Sequence, residues 1–305
     1  MKKRNQPNLL DRMIWFIVRL YLFFSKRIPL NHWLSIGRLM GLLIYLIDYP
    51  HKRISLTNLR FAFGHEKTER EIRTLVRRNF QQFGMIAHEW LTLQDITKNQ
   101  ISNLVRVEGE EHLLAAKKKS PFVILLSAHF GNWEYCHLYY GSRMNRLNFI
   151  VRAVDNQFIE EERVRYNRRF GVNILYKEEG LRPAIKGFRK KVDLVIFADQ
   201  KANLREGIPS TFFGKKTSTM HVIQSLALKY NASVVPMFIA RCKDHIHHRI
   251  VFFPEIPMDY KGGQKAILEG VQRQNDAIER IIRAYPDHWL WFHRKWKTYH
   301  PEIYE

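Results

Sequence analysis

A continuous apolar run, residues 121–126, ends in the stretch Ser-Ala-His-Phe-Gly-Asn-Trp-Glu of residues 127–134, and this stretch constrains the fold most. A short apolar run that is bounded by turn residues is typical of a strand buried on both faces. The pattern therefore predicts a buried strand that stops at a turn. His129 then lies at the strand end, and an aromatic-rich helix begins near Asn132.

His129 and Glu134 are the residues of this stretch that can do acid–base chemistry. Imidazole titrates near neutral pH, so it can take a proton from a hydroxyl group, and a nearby carboxylate can hold the ring in one tautomer. Glu134 can reach the ring if Gly131 bends the backbone and Glu134 lies in the first helical turn. A lone His followed by a Glu is also common at surfaces and in cores. The position at a strand end favours catalysis, because open α/β sheets carry their sites there.

From residue 121 onward, segments with strand and helix patterns alternate. The predicted strands are Phe122–Ser127, Asn148–Arg152, Val172–Leu175, Val192–Ala198, Ser233–Ala240 and His248–Phe253, and the predicted helices are Trp133–Tyr140, Asn156–Phe170, Leu181–Phe188, Thr219–Lys229 and Gln264–Ala284. This alternation is typical of an α/β fold with a central mixed, largely parallel sheet flanked by helices. Residues 231–253 can form an antiparallel hairpin.

The N-terminal segment is apolar and aromatic, but Arg12 and Arg19 interrupt it between residues 9 and 24. A membrane span needs about 20 apolar residues, and no small-residue cleavage site follows. We therefore expect a helix that lies in one leaflet, with Arg19 reaching the headgroups; a soluble helical subdomain is the alternative. A second apolar stretch covers residues 33–47. The expected organisation is membrane-anchoring helices in residues 1–50 and a catalytic domain in 51–305, with a helical part at 51–118 and an α/β core at 119–305.

The net charge of +21 requires an acidic partner, such as nucleic acid, anionic lipid or an acidic carrier. The two cysteines do not make a disulfide framework or a zinc site by themselves. The sequence also lacks a phosphate-binding lysine loop, a dinucleotide fingerprint, a serine nucleophile elbow and a zinc-binding helix motif. Direct transfer by His-assisted attack of a substrate hydroxyl is the simplest chemistry that remains, without a metal ion.

Further candidate site residues follow the other strands. Asp199 comes directly after an apolar run, so it can rival Glu134 as the partner of His129, hold substrate, or cap a turn. Arg152 and Arg169 can face anionic groups, because guanidinium binds phosphate and carboxylate bidentately; the charge of Arg169 also suits a helix end. Residues 209–219 are interpreted as a loop that opens a helix, where Thr219 can be an N-cap or help bind an anion. The aromatic and basic segment 287–298 can line an acyl and phosphate site or grip nucleic acid.

Several segments together resemble the lipid A biosynthesis (lauroyl/myristoyl) acyltransferases, within the wider glycerolipid acyltransferase-like group. They are His129–Glu134, which resembles the H-x(4)-D/E motif of the family, and the segments 53–59, 152–156, 198–200, 212–214 and 289–296. The resemblance implies transfer of an acyl chain from acyl carrier protein, or from acyl-CoA, to a hydroxyl of a lipid acceptor. In the best-known members the acceptor is a lipid A precursor on the cytoplasmic face of the inner membrane.

The resemblance also implies roles for individual residues. His129 is expected to be the general base and Glu134 the residue that orients it. Substrate binding and transition-state support are expected from Gly131, Asn132, Arg152, Asn156, Arg169, Asp199, Gln200, Thr219 and Arg294. The backbone N–H groups near Gly131 and the Asn132 amide are the candidate oxyanion donors.

The implied partners are acyl carrier protein, an anionic glycolipid acceptor and inner-membrane lipids, with no cofactor beyond the acyl donor. Two alternatives stay open at this point. The acceptor can be another lipid, such as a lysophospholipid or an aminolipid. From a different class of function, the chain can be a basic nucleic-acid-binding protein, although its apolar N-terminus disfavours this.

Overall fold

Four helices form the N-terminal region in the computed structural model, which describes residues 8–25, 27–144 and 146–305. They are α1 (Leu9–Ser25), α2 (Leu30–Ile47), α3 (Tyr49–Phe63) and α4 (Glu69–Thr92). Helix α2 packs closely along α4, because Gly37 and Gly41 face Gly84 where any side chain would meet the opposing backbone. A capping box of Thr68 and Glu71 begins α4. This helix carries several side chains that reach the candidate site.

The remaining elements largely alternate between strand and helix, as the sequence pattern predicts from residue 121 onward. The helices are α5 (Lys98–Leu104), α6 (Glu110–Lys119), α7 (Trp133–Met144), α8 (Gln157–Arg169), α9 (Arg182–Arg189), α10 (Val222–Tyr230) and α11 (Gly263–Ala284). The strands are β1 (Val105–Glu108), β2 (Val123–Ser127), β3 (Leu147–Val151), β4 (Val172–Tyr176), β5 (Asp193–Phe197), β6 (Gly207–Phe212), β7 (Lys215–Met220), β8 (Ser233–Arg241) and β9 (His248–Phe252).

The main sheet has seven strands in the order β1-β9-β8-β2-β5-β3-β4. Strands β8, β2, β5, β3 and β4 run parallel to one another, whereas β9 runs antiparallel to β8. The predicted α/β fold with a mixed, largely parallel sheet is therefore confirmed, and so is the hairpin within residues 231–253. The carboxyl ends of β8, β2, β5 and β3 lie at one edge of the sheet, where ligand sites of such folds occur.

Both faces of this sheet are buried, as the continuous apolar run of β2 predicts. Ile124 and Leu126 belong to one hydrophobic cluster, whereas Val123 and Leu125 belong to another on the opposite face. Successive side chains of a strand point to opposite faces, so this split is the expected pattern for a sheet covered by helices on both sides.

The predicted loop at residues 209–219 is wrong, since these residues belong to the antiparallel hairpin of β6 and β7. A two-residue turn joins the strands, with positive φ angles at Phe213 and Gly214 (53° and 67°), which suits the right-handed twist of a hairpin. Thr219 lies in β7, and α10 begins only at Val222. Neither strand shows a regular alternation of buried and exposed side chains that would have revealed the hairpin in the sequence.

Candidate active site

The register of the sheet brings His129 and Asp199 together. Strands β2 and β5 are parallel neighbours, and Ser127 pairs with Phe197 at their carboxyl ends. His129 and Asp199 follow these paired residues by equal intervals, so they emerge side by side. Nδ1 of His129 lies 3.0 Å from Oδ1 of Asp199, and the backbone N–H of His129 donates to Oδ2 over 3.1 Å. One carboxylate therefore holds both the ring and the main chain of His129.

Asp199 is a buried carboxylate that is ionised at neutral pH. Burial alone would raise its pKa, but the nearby imidazole and the hydrogen bonds that Asp199 receives lower the pKa to about 2. One of these bonds comes from Nε1 of Trp289 over 2.9 Å. An ionised carboxylate can only accept, so the ring hydrogen of His129 lies on Nδ1 and the basic atom is Nε2.

The ring of His129 is accessible to solvent, and two aromatic side chains flank it. Its side chain is 25% exposed. The rings of Phe197 and Trp133 meet it edge-on, with centroids 4.9 and 5.3 Å away. A substrate hydroxyl can therefore approach the ring in a largely apolar setting, where hydrogen bonds and charges act more strongly than in water.

The turn that carries His129 is fixed by close backbone contacts. Gly131 has a φ of +56°, and a Cβ atom there would lie 2.0 Å from the carbonyl oxygen of Ile239. Its N–H donates to the carbonyl of His288 over 2.9 Å, and the N–H of Leu290 donates to the carbonyl of His129 over 2.9 Å. The predicted bend at Gly131 is therefore present. The N–H of Gly131 is already hydrogen-bonded within the protein and is not a free oxyanion donor in this arrangement.

Glu134 lies in the first turn of α7, as predicted, but its carboxylate meets other partners. It accepts from the hydroxyl of Tyr166 over 3.1 Å and lies 3.4 Å from Nε2 of His137. Burial alone would raise the pKa of Glu134, but His137, Arg163 and Tyr166 lower it. The sequence left open whether Glu134 or Asp199 orients His129, and in the structure the carboxylate on the ring is that of Asp199.

Asn132 belongs to a buried charged cluster. It caps α7 by accepting from the N–H of Tyr135 over 3.3 Å, and its amide donates to Glu89 over 2.9 Å. Glu89 forms an ion pair with Arg241 at 2.5 Å and contacts His248 at 3.1 Å. The predicted oxyanion donor, the amide of Asn132, is therefore engaged on Glu89. This arrangement makes Asn132 a link between the His129 turn and the cluster.

The C-terminal segment lies against the His129 turn, because two asparagines from the N-terminal helices hold its backbone. The amide of Asn58 donates to the carbonyls of Trp291 and His293. The amide of Asn79 donates to those of Asp287 and Trp289. Helices α3 and α4 thus position Trp289, which contacts Asp199.

The three predicted anion-binding arginines lie in different settings. Arg152 follows β3 at the same edge as His129, and its side chain is 76% exposed beside Asp155. Arg294 is exposed, with its guanidinium 6.0 Å from the centroid of the Tyr304 ring. Arg169 instead donates to backbone carbonyls, the closest being that of Gln94 at 2.6 Å. Its guanidinium is therefore engaged at the end of the α4 region rather than facing a ligand.

The other predicted support residues have structural contacts. Asn156 caps α8 by accepting from Phe158 and Ile159, and its amide donates to the carbonyl of Asp11 in α1 over 3.1 Å. Thr219 is buried, and its hydroxyl contacts Ser210 and Asn275 next to α11. Gln200 is partly buried directly after Asp199.

Three residues near the pair were not among the predicted site residues: Trp289, His293 and Lys295. His293 is half-buried, and its Nε2 accepts from the N–H of Lys201 over 3.0 Å. Burial and the neighbouring cations lower its pKa to about 4, although Asp199 opposes this. His293 is therefore neutral at physiological pH. The signals for these residues in the sequence were the aromatic and basic composition of segment 287–298 and the family resemblance of segment 289–296.

The fold and the site together define a class of protein. A histidine whose Nδ1 is held by a buried carboxylate, at the carboxyl edge of a parallel sheet, is an acid–base site that can activate a hydroxyl. Among the described residues, no group of three or more His, Cys, Asp or Glu side chains is arranged to hold a metal ion.

Comparison with known proteins identifies the family. The family described as "Bacterial lipid A biosynthesis acyltransferase" matches residues 1–298. A lipid A biosynthesis lauroyltransferase of Escherichia coli K12 is 24% identical over 291 residues, which cover 94% of this chain and 89% of the relative. A palmitoleoyltransferase of the same pathway and organism is 25% identical over 252 residues, covering 80% and 78%. A lipid A biosynthesis acyltransferase of Haemophilus influenzae is 19% identical over 238 residues, covering 77% and 72%. The chain therefore belongs to the bacterial lipid A biosynthesis acyltransferases and is an acyltransferase, which confirms the resemblance seen in its sequence.

Proposed function

We propose that this protein transfers an acyl chain from acyl carrier protein, or from acyl-CoA, to a hydroxyl of a lipid A precursor or a related anionic glycolipid, with His129 as the general base. The observation that carries the proposal is the hydrogen bond of 3.0 Å between Nδ1 of His129 and the buried carboxylate of Asp199. The family and the printed names of the relatives support the acyl transfer and the choice of acceptor.

The proton transfers need only these two side chains and the two substrates. Nε2 of His129 takes the proton of the acceptor hydroxyl while its oxygen attacks the thioester carbonyl. Asp199 stabilises the imidazolium that forms. The tetrahedral intermediate then collapses, the C–S bond breaks, and the imidazolium returns its proton to the thiolate. No acyl-enzyme forms, and much of the acceleration comes from holding hydroxyl and thioester in line.

The negative oxygen of the intermediate needs a hydrogen-bond donor, worth about 3–4 kcal/mol in comparable sites. The N–H of Gly131 and the amide of Asn132 are engaged elsewhere. His293 offers a different donor: its Nε2 accepts from Lys201, so a neutral ring carries its hydrogen on Nδ1. We therefore assign the oxyanion role to His293 in place of Gly131 and Asn132.

An anionic acceptor fits the charge of the protein. The net charge is +21, and the exposed Arg152 lies at the same edge of the sheet as His129. Together with the exposed Arg294, it can bind the phosphates or sugar carboxylates of a glycolipid. Arg169 is engaged on backbone carbonyls, so it does not belong to this set.

The N-terminal helices support attachment to a membrane. Among the described residues, one helix, Leu30–Ile47, is long and apolar enough to cross a bilayer by length and composition. Both N-terminal helices expose large apolar side chains, among them Leu9, Met13, Phe16, Leu20 and Phe24 in α1 and Leu39, Leu43, Leu46 and Ile47 in α2. We propose that these faces lie in the inner membrane, with the site on the cytoplasmic side, where acyl carrier protein is found.

The test compares two carboxylates that differ in their contact with His129. Purified Asp199→Asn and Glu134→Gln variants are assayed for transfer from acyl carrier protein or acyl-CoA to a panel of acceptors: a lipid A precursor, a lysophospholipid and an aminolipid. Asp199→Asn and His129→Ala should lower kcat by about 10²–10⁴-fold. Glu134→Gln should retain far more activity, because its carboxylate does not contact the ring in this structure.

Near-normal turnover by His129→Ala would refute the assignment of the base. If lysophospholipid or aminolipid is acylated and the lipid A precursor is not, the acceptor is wrong and the acyl-transfer site stands. Mass spectrometry of membrane lipids with and without the gene gives an independent answer, since loss of the activity should remove one acyl chain from a glycolipid.

A further inference from the structure

Lys295 is a fully buried cation that the acyl-transfer scheme does not use. Its side chain has no solvent exposure. Nζ lies 3.5 Å from the carbonyl oxygen of Gln200 and 5.1 Å from the centroid of the Phe212 ring. None of the ion pairs within the described residues includes Lys295. An ammonium group is rarely buried without charge compensation, because its transfer out of water is strongly unfavourable.

Asp199 is the acid whose charge acts on Lys295. Gln200, whose carbonyl contacts the ammonium, is the next residue in the chain. Burial lowers the pKa of Lys295 to about 8, and the charge of Asp199 opposes that effect. In return, the ammonium is one of the groups that keep the pKa of Asp199 low. At neutral pH both groups are charged, so Asp199 acts on two groups, the histidine that it holds and the cation next to Gln200.

We propose that Lys295 is a positioning residue for the catalytic pair, whose buried charge balances Asp199 and keeps His129 neutral at working pH. A lone carboxylate at 3.0 Å would favour the imidazolium. A histidine that is already protonated cannot accept the proton of a hydroxyl. With the ammonium in place, Asp199 still fixes the ring, but the electrostatic pull on a second ring proton is weaker.

The other titratable groups that face the pair do not supply this balance. His293 is neutral at physiological pH, since its pKa is lowered to about 4 by burial and by neighbouring cations. Lys201 is exposed to solvent, which screens its charge. Trp289 donates a hydrogen bond to Asp199 but carries no charge. Within the part of the chain that the structure describes, Lys295 is the buried cation that acts on Asp199.

The experiment measures the ring of His129 directly. Protein labelled with ¹⁵N-histidine is titrated by NMR in detergent micelles, and the His129 signal is assigned with His129→Gln. Lys295→Gln keeps a donor for the Gln200 carbonyl without the charge, and Lys295→Met is apolar. In both variants the midpoint of His129 should rise by about one pH unit. In the pH profile of kcat/KM, the rise on the acidic side should shift to higher pH by the same amount.

Lys297→Met is the matched control, because this lysine is two residues away and exposed. It removes the same charge from the same segment and should leave the midpoint unchanged. A structural role alone predicts no shift of the midpoint, and buried Met in place of a buried charge need not destabilise the fold. An unchanged midpoint in the Lys295 variants, or a shift in only one of them, would overturn the proposal.

Two further outcomes are decisive. If neither Lys295→Gln nor Lys295→Met folds, the wild-type protein is titrated from pH 5 to 10. Loss of the Lys295 proton near pH 8 must then shift the NMR signal of His129 a second time. A single transition of that signal overturns the proposal. The proposal rests on the proposed function only in taking His129 as the base. If the NMR midpoint moves while no acyl transfer is found, the electrostatic link stands and the proposed function fails.

Discussion

The buried ion pair of Glu89 and Arg241 makes the stability of the site region depend on one charge. The two side chains are each 1% exposed, and the closest N–O distance is 2.5 Å. Burial alone would raise the pKa of Glu89, but Arg241 and His248 hold it far below its usual range. The same carboxylate accepts from the amide of Asn132, the cap of α7. Loss of this charge should therefore lower the stability of the protein and disturb the turn that carries His129.

Glu89→Gln keeps the size of the side chain and one amide oxygen but leaves the guanidinium of Arg241 buried without a counter-ion. Removal of one partner of a buried pair destabilises proteins by about 3–5 kcal/mol. Gln82 and the carbonyl of His245 still accept from Arg241, which places the expected loss at the lower end, about 3 kcal/mol. Urea-induced unfolding, followed by the fluorescence of the buried tryptophans, measures the loss as a fall in midpoint.

The control is Glu269→Gln, whose pair with Arg273 is 45% and 43% exposed. An exposed pair of this kind contributes at most about 0.5 kcal/mol. The double variant Glu89→Gln/Arg241→Met should regain part of the loss, because no uncompensated charge remains. A loss below about 1 kcal/mol in Glu89→Gln, or a double variant less stable than the sum of the singles, would refute the reasoning.

Two further predictions concern the turn and the membrane face. Gly131→Ala should prevent stable folding or remove nearly all activity, because its Cβ would lie 2.0 Å from a backbone oxygen. Gly214→Ala, also at positive φ (67°) but with no atom within 4 Å, should lose only about 1 kcal/mol, and equal losses in a denaturation assay would contradict the argument. The double variant Leu39→Glu/Leu46→Glu should weaken co-sedimentation with anionic liposomes at least about tenfold, because burial of each leucine side chain contributes about 1.5–3 kcal/mol to binding. Binding equal to the wild type would show that this face of α2 does not enter the bilayer.

Local patterns in the chain were sufficient to predict most elements. The apolar run before Ser127 is a strand because both faces of the sheet are covered, and α8 is capped by Asn156, the residue at which a helix was predicted to begin. His129 and Asp199 were both predicted to follow strands. The hairpin of β6 and β7 was missed, because the Gly, Lys and hydroxyl composition of that segment is also typical of a loop.

The partner of His129 was decided by the tertiary structure. Glu134 is closer in sequence, but Asp199 is closer in space, because the register of β2 and β5 aligns Ser127 with Phe197. Register is a non-local property of strand pairing, and no spacing along one segment reveals it. The same limit applies to Arg169, whose basic charge looked free until the fold placed carbonyl groups around it.

The sequence by itself determined the α/β pattern, the basic charge, the apolar N-terminal helices and a histidine at a strand end, because each of these is a property of neighbouring residues. Only the tertiary structure decided which carboxylate holds that histidine, which donors are already occupied, and that Lys295 is buried near Asp199. Burial and pairing arise from contacts between residues far apart in the chain. They set the charge state of each group, and therefore the chemistry that the site can perform.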